Sequence, residues 1–398
     1  MRRVVFVHGY DGRGPAHYLP LFRRGASRWA AREGRPVTFG DDAVTDHVAT
    51  LNIEGGSELR CSIECLRWDA YVRATVPRGW SRRLFGLRLV YDLARTGVLR
   101  RLWRVSRPLA LASAAHGLFT ASALLAFTCA AAAVATALGG AGAWPFSVSL
   151  GLVALACVGL AWAVTRYAGL WALEWVAAGM RHELLAERGD PLLRAAHGRA
   201  LVAHLRAALA DEEADEVLVV AHCSGTRLAV SILAKALRGE PTRPVRLLTL
   251  AQPSMAVMAW LPGAHRFRRD LRALAARRDL DWVDVSSPID GSNAALLDPV
   301  RAAFGADAPG GARTFNAWFR RTLSFERYRA SRADGYKTHF EFLGVPDRPD
   351  PRQFDLFDMI LRPASALARF DRPEETGPFY ASEPFAPWCP AGEGKAKP

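Results

Sequence analysis

Two adjacent side chains that can act as nucleophiles, Cys223 and Ser224, follow the apolar, β-branched run Val217 to Ala221. They precede Thr226 to Leu237, whose apolar residues recur at helical spacing. A buried strand, a sharp bend and a helix can lift a nucleophile above a sheet. Such a bend strains the backbone of its central residue and leaves room only for small residues two positions before and two after. For Cys223 those neighbours are Ala221 and Gly225; for Ser224 they are His222 and Thr226, both bulky. Cys223 is the favoured nucleophile and Ser224 the alternative. A buried cysteine that only fills an ordinary turn fits the same pattern.

A cysteine or serine nucleophile needs a base, and the base needs an orienting group. Beyond Cys223 the histidines are His265 and His339. Asp290 lies in the loop Ser286-Ser-Pro-Ile-Asp-Gly-Ser292, after Asp281 to Val285, which reads as a further strand, and His339 is the one histidine after it. Asp284 is a competing acid, placed inside the strand pattern. At the other end of the chain, Val4 to Val7 reads as a buried strand entering the loop His8-Gly9-Tyr10-Asp11-Gly12.

Taken together, Ala-His-Cys-Ser-Gly at 221–225 and His-Gly after the first strand resemble the α/β-hydrolase superfamily, lipase- and esterase-like. The family pattern G-x-S-x-G has Ala at its first glycine here and Cys at its serine. The resemblance covers about residues 1–70 and 215–343, through motifs. It implies the order nucleophile, acid, histidine, hence Cys223, Asp290 and His339 as catalytic residues. It also implies an oxyanion hole from the backbone N–H of Ser224 and of the Gly9–Tyr10 loop. The expected activity is cleavage of an acyl ester or thioester; the alternatives are acyl transfer on the same scaffold and a non-catalytic binding role.

Composition narrows the partners. The 398 residues carry 52 Lys and Arg against 39 Asp and Glu, a net charge of +13. From Arg78 to Arg107 there are nine arginines and one acid, Asp92. No nucleic-acid motif accompanies them, and no Gly-Lys-Ser/Thr follows the first loop, so neither nucleic acid nor a phosphate-cradling loop is expected. Leu109 to Leu138 and Trp144 to Thr165 contain no Asp, Glu, Lys or Arg, and each is long enough to cross a bilayer. A Gly-rich turn at 139–143 joins them. The arginines before the first stretch, with Arg166 and Arg181 after the second, predict cytoplasmic ends and an integral protein of the cytoplasmic membrane. The basic flank would then meet anionic lipid headgroups, and the substrate would be an acyl ester or a lipid-like molecule. The amino terminus has too short an apolar run for a signal peptide.

The six cysteines, with Cys61 and Cys65 on one side of a strand, have no disulfide-scaffold or metal-ligand spacing, and no metal or cofactor is expected. Alternating strands and helices predict a mainly parallel α/β-hydrolase-like sheet with helices on both faces, interrupted by a two-helix transmembrane hairpin. The expected organisation is 1–95 (first part of the sheet domain), 96–180 (basic segment and hairpin, spans 109–138 and 144–165), 181–345 (second part) and 346–398 (extension and tail). Arg181 to Leu209 reads as one amphipathic helix.

Overall fold

The computed structural model describes residues 1–56, 59–139, 151, 154–155, 170–238, 244–305, 308–350, 353–362 and 367. In chain order its principal elements are β1 (Arg2–Val7), α1 (Pro15–Glu33), β2 (Thr38–Phe39), β3 (Ala43–Val44), β4 (Val48–Gly55), β5 (Leu59–Leu66) and α2 (Asp69–Thr75). Then come α3 (Gly79–Arg95), α4 (Val98–Val105), α5 (Arg107–Gly139), α6 (Leu170–Ala186) and α7 (Ala196–Leu209). The remainder includes β6 (Glu216–His222), α8 (Gly225–Ala236), β7 (Val245–Leu250), α9 (His265–Ala275), β8 (Leu280–Ser286), β9 (Arg313–Asn316), α10 (Gly335–Phe340) and α11 (Leu356–Leu361). Two compact units result. One comprises Met1–Thr75 and the described residues from His182 on; the other comprises Val76–Arg181.

The first unit is α/β, built on a mostly parallel, mixed sheet. Its strand order is β2-β4-β5-β1-β6-β7-β8-β9, with β3 also on β4. The run β5-β1-β6-β7-β8-β9 is parallel, while β4 is antiparallel to β5, and β2 and β3 are antiparallel to β4. Every residue of β6 is buried, as expected of a central strand covered on both faces. On one face Phe6 of β1 meets Phe22 of α1 edge-on, centroids 4.9 Å apart, and Phe22 in turn meets Phe357 of α11.

The order of the strands sets the place for chemistry. After β1 the sheet grows to one side through β4 and β5; after β6 it grows to the other through β7, β8 and β9. The strand order therefore reverses between β1 and β6, and ligands of parallel sheets gather at the carboxyl ends flanking such a point. Val7 pairs with Ala221 at the end of that register, so His8–Gly9 and His222–Cys223 leave the sheet side by side.

Arg181 to Leu209 is not one helix. α6 ends at Ala186, a short turn of helix covers Pro191–Arg194, and α7 starts at Ala196. Gly189 takes φ 128° and the Asp190 side chain caps the Pro191 turn through Leu192 N, which breaks the amphipathic run.

In the second unit α3 packs on α5, and Gly86 and Gly117 allow the close approach. A Cβ on Gly117 would lie 2.4 Å from the Gly86 carbonyl oxygen. Within α5, Arg107–Ala130 is the one helix among the described residues that is long and apolar enough to cross a membrane; core helices also meet that test by length and composition. Leu118 and Leu125 on it are 51% and 59% exposed, an apolar face left uncovered among the described residues. The expected second span, 144–165, lies outside the described residues apart from 151, 154 and 155, so one apolar helix is seen where a hairpin is expected.

Candidate active site

Cys223 stands at the carboxyl end of β6 with φ 56°, a left-handed conformation that a residue with a Cβ rarely adopts. Ser224, by contrast, has an ordinary φ of −61° at the cap of α8. The strained position therefore belongs to Cys223. Its N–H donates to Leu250 O (2.9 Å), and its carbonyl accepts from Thr226 N and Thr226 Oγ1 (3.1 and 2.6 Å), so the bend is held on both sides. Thr226, bulky for a position two after a nucleophile, serves instead as the brace of the bend.

Small residues around the bend are steric necessities. A Cβ on Gly225 would lie 2.3 Å from His8 O and 2.4 Å from Val7 O, and one on Gly9 would lie 3.0 Å from Cys223 Cβ. Because the clashing atoms at Gly225 are backbone, Gly225→Ala is expected to destabilise the protein by about 1–3 kcal/mol or more. Thermal unfolding measured beside the wild type checks this, and an unchanged midpoint would contradict the geometry.

His339 lies in the last turn of α10 and is wholly buried. Its Nδ1 donates to Asp290 Oδ2 (2.8 Å) and is also 2.8 Å from Ser292 Oγ. Asp290 is fixed in turn: Oδ1 accepts from Ser292 N (2.9 Å) and Ser292 Oγ (2.6 Å), and Oδ2 from Asn293 Nδ2 (2.9 Å). Burial works against the Asp290 carboxylate, but the His339 charge and these hydrogen bonds outweigh it and hold its pKa below the usual range. Burial likewise opposes the charged His339 ring, yet Asp290 first, and then the charge of the Cys223 sulfur that the ring N–H faces, push it up to about 10. With Nδ1 committed to Asp290, Nε2 is the nitrogen left to face the thiol.

These shifts give a stability window. The favoured imidazolium adds stability that is fully present below the ordinary imidazole value of about 6.5 and fades as pH rises towards about 10. The Asp290 share is present above the ordinary carboxylate value of about 3.9 and fades as pH falls through its lowered folded value. The difference in thermal midpoint between wild type and His339→Gln should therefore be largest between about pH 4 and 6.5 and shrink on either side. A difference that grows from neutral to alkaline pH would contradict the pairing.

The first loop lies against Cys223. Gly9 O accepts from His8 Nδ1 (2.8 Å) and from Asp11 N (2.7 Å). The next N–H, that of Tyr10, must point the opposite way, because a trans peptide sets C=O and N–H on opposite sides. His8 is held between the rings of Tyr18 and Trp68 (5.3 and 5.4 Å), Trp68 Nε1 donates to His8 O (3.0 Å), and burial pushes His8 down to about 4. Opposite this loop, α8 begins at the bend with no side-chain cap from Ser224, and helical geometry leaves its first N–H groups without partners inside the helix.

No family model, curated protein or solved structure matches the chain. Cys223, Asp290 and His339 are brought together, with Gly9, Tyr10 and Ser224 around them. The alternative nucleophile Ser224 lies beside the first, its Oγ 3.9 Å from Cys223 Sγ. Asp284 stays inside β8, where Thr249 Oγ1 donates to it (2.6 Å) and burial pushes it up to about 8. Cys61 and Cys65 are buried in β5, and burial pushes Cys61 up to about 12, which makes it a poor nucleophile. Among the described residues no group of three or more His, Cys, Asp or Glu is arranged to hold a metal.

Several contributors were not anticipated from sequence. Ser292 and Asn293 secure Asp290, and the spacing Asp290-Gly-Ser292 does carry the signature of a side-chain-to-backbone turn. His222 donates from Nε2 to His339 O (3.0 Å), and burial pushes this ring down to about 3, so it is neutral. Arg13 pairs with Asp11 (2.6 Å), bonds Tyr336 Oη and lies 5.9 Å from the Phe340 ring centre, tying the first loop to α10.

Proposed function

We propose that this protein is a membrane-anchored α/β-hydrolase-like enzyme that cleaves an acyl ester or thioester, with Cys223 as nucleophile, His339 as acid and base, and Asp290 as the group that orients His339. The observation that carries the reading is the φ of 56° at Cys223, strain placed on a nucleophile beside an Asp-oriented imidazole. Backbone strain of this kind collects at functional sites.

In the proposed reaction His339 holds the proton taken from Cys223, and the thiolate attacks the acyl carbonyl carbon. The oxyanion is received by the N–H groups of Ser224 and Tyr10. The leaving alcohol or thiol departs with the proton from His339. Water then gives a proton to His339 and attacks the thioester, and the returning proton restores the Cys223 thiol as the carboxylic acid leaves. A high folded value for His339 supports this, since an imidazolium beside the sulfur stabilises a thiolate.

The membrane part of the proposal draws on the exposed leucines of α5 and on the arginines before it. Trp103 on α4 is 48% exposed, with Arg107 5.8 Å from its ring centre, an arrangement suited to anionic headgroups. A lipid-derived acyl substrate fits such an anchor.

The test uses the full chain in detergent. It should hydrolyse a p-nitrophenyl acyl ester, and stoichiometric iodoacetamide should abolish turnover with the label on Cys223. A folded protein with neither hydrolysis nor labelling at Cys223 would support a binding role instead. Separately, the chain should stay in the membrane pellet after alkaline carbonate washing; release would remove the anchor from the account.

A further inference from the structure

Arg227 lies one helical turn beyond Cys223 on α8 and is 2% exposed. Three side chains from residues 182–190 surround it. Its Nη2 donates to His182 Nε2 (2.9 Å) and to Asp190 Oδ2 (2.8 Å), and its Nε pairs with Glu183 Oε2 (2.6 Å). Burial pushes Glu183 up to about 8, against the pull of Arg227, while Glu183 and Asp190 together outweigh the burial of Arg227 and hold its guanidinium charged. Burial, then Arg227, pushes His182 down to about 3, so its ring is neutral.

The ring of His182 faces the first loop. It stacks on Tyr10 with centroids 5.1 Å apart and planes 24° apart, and Trp68 and Tyr71 close its other sides at 5.8 and 5.7 Å. Tyr10 is also tied at its tip, where Oη is 2.9 Å from Thr75 Oγ1. One continuous chain of contacts thus runs from α8 through Arg227 and His182 to Tyr10.

We propose that His182 is a positioning residue: it fixes the Tyr10 N–H against the Ser224 N–H, so that both oxyanion donors keep one separation. This rests on the catalytic reading above. The two donors stand on different elements, a loop after β1 and the cap of α8, and a donor displaced by about 1 Å can cost about a hundredfold in rate. The buried guanidinium supplies the fixed point, because a paired charge without water around it has few other places to go.

The experiment compares His182→Leu, which removes both ring and acceptor, with His182→Phe, which keeps a flat ring. Three quantities are read: kcat and KM on a p-nitrophenyl ester, the rate of Cys223 alkylation by iodoacetamide, and amide hydrogen exchange over residues 9–12. His182→Leu should lower kcat by about 10- to 100-fold with KM nearly unchanged, because a misplaced oxyanion donor is felt in the transition state. Alkylation, which forms no oxyanion, should stay near the wild-type rate, and exchange over 9–12 should speed up. His182→Phe, which restores the flat ring against Tyr10 but not the acceptor for Arg227, should recover only part of kcat. Wild-type kcat and exchange in the Leu variant would overturn the proposal, as would kcat and alkylation falling together. If the wild type itself fails to turn over, the catalytic reading fails on its own; exchange over 9–12 then decides the clamp, faster in the Leu variant if it exists and unchanged if it does not.

Discussion

Cys223→Ala should remove nearly all ester hydrolysis while leaving the protein folded. Loss of the nucleophile from a working triad lowers kcat by about 10⁴ to 10⁶. The bend itself should survive, since it is held by backbone bonds to Leu250 and Thr226 and by the glycine at 225, none of which involves the sulfur. Alanine also keeps the small volume that this buried position requires. The companion variant is Ser224→Ala. Ser224 is asked only for its backbone N–H, so kcat should stay within a few-fold of wild type. If Ser224→Ala is dead and Cys223→Ala is active, the assignment of the nucleophile is reversed.

Asp290→Asn should lower kcat by about 10⁴, as neutralising the orienting carboxylate does in triads. The physical reason is visible in the donors. Ser292 N, Ser292 Oγ, Asn293 Nδ2 and His339 Nδ1 all aim hydrogens at this one group. An amide has only one oxygen to receive them, and its NH2 must face a donor. The His339 ring then turns or changes tautomer. Removing the negative charge also lowers the imidazole from its raised value, so the alkaline limb of the kcat/KM profile should move towards neutral pH. An unmoved alkaline limb, with kcat intact, would detach Asp290 from the site.

The elbow was legible in the sequence because its demands are local. A β-branched run, small residues at 221 and 225 and a helical pattern all sit between Val217 and Leu237. The parallel sheet followed from alternation of such runs with helices. β4 was not legible, because Val48–Gly55 interrupts its apolar residues with Thr50, Asn52 and Glu54, and β2 and β3 have two residues each. The break at Gly189-Asp190-Pro191 was masked by amphipathic spacing on either side. Arg227 reads as a solvated charge on a helix; its burial depends on His182 and Asp190, 45 and 37 positions earlier in the chain. Side chains that act by long-range pairing leave no periodic trace, whereas Ser292 left one in its turn spacing.

The central claim is that the Cys223 sulfur carries the acyl group. The direct measurement is peptide mass mapping of the full chain after brief reaction with an acyl p-nitrophenyl ester and acid quench. The prediction is one acyl adduct on the peptide containing Cys223, released by hydroxylamine at neutral pH and absent from Cys223→Ala. Hydrolysis proceeding with the acyl group on Ser224, or with no adduct on either residue, would contradict it.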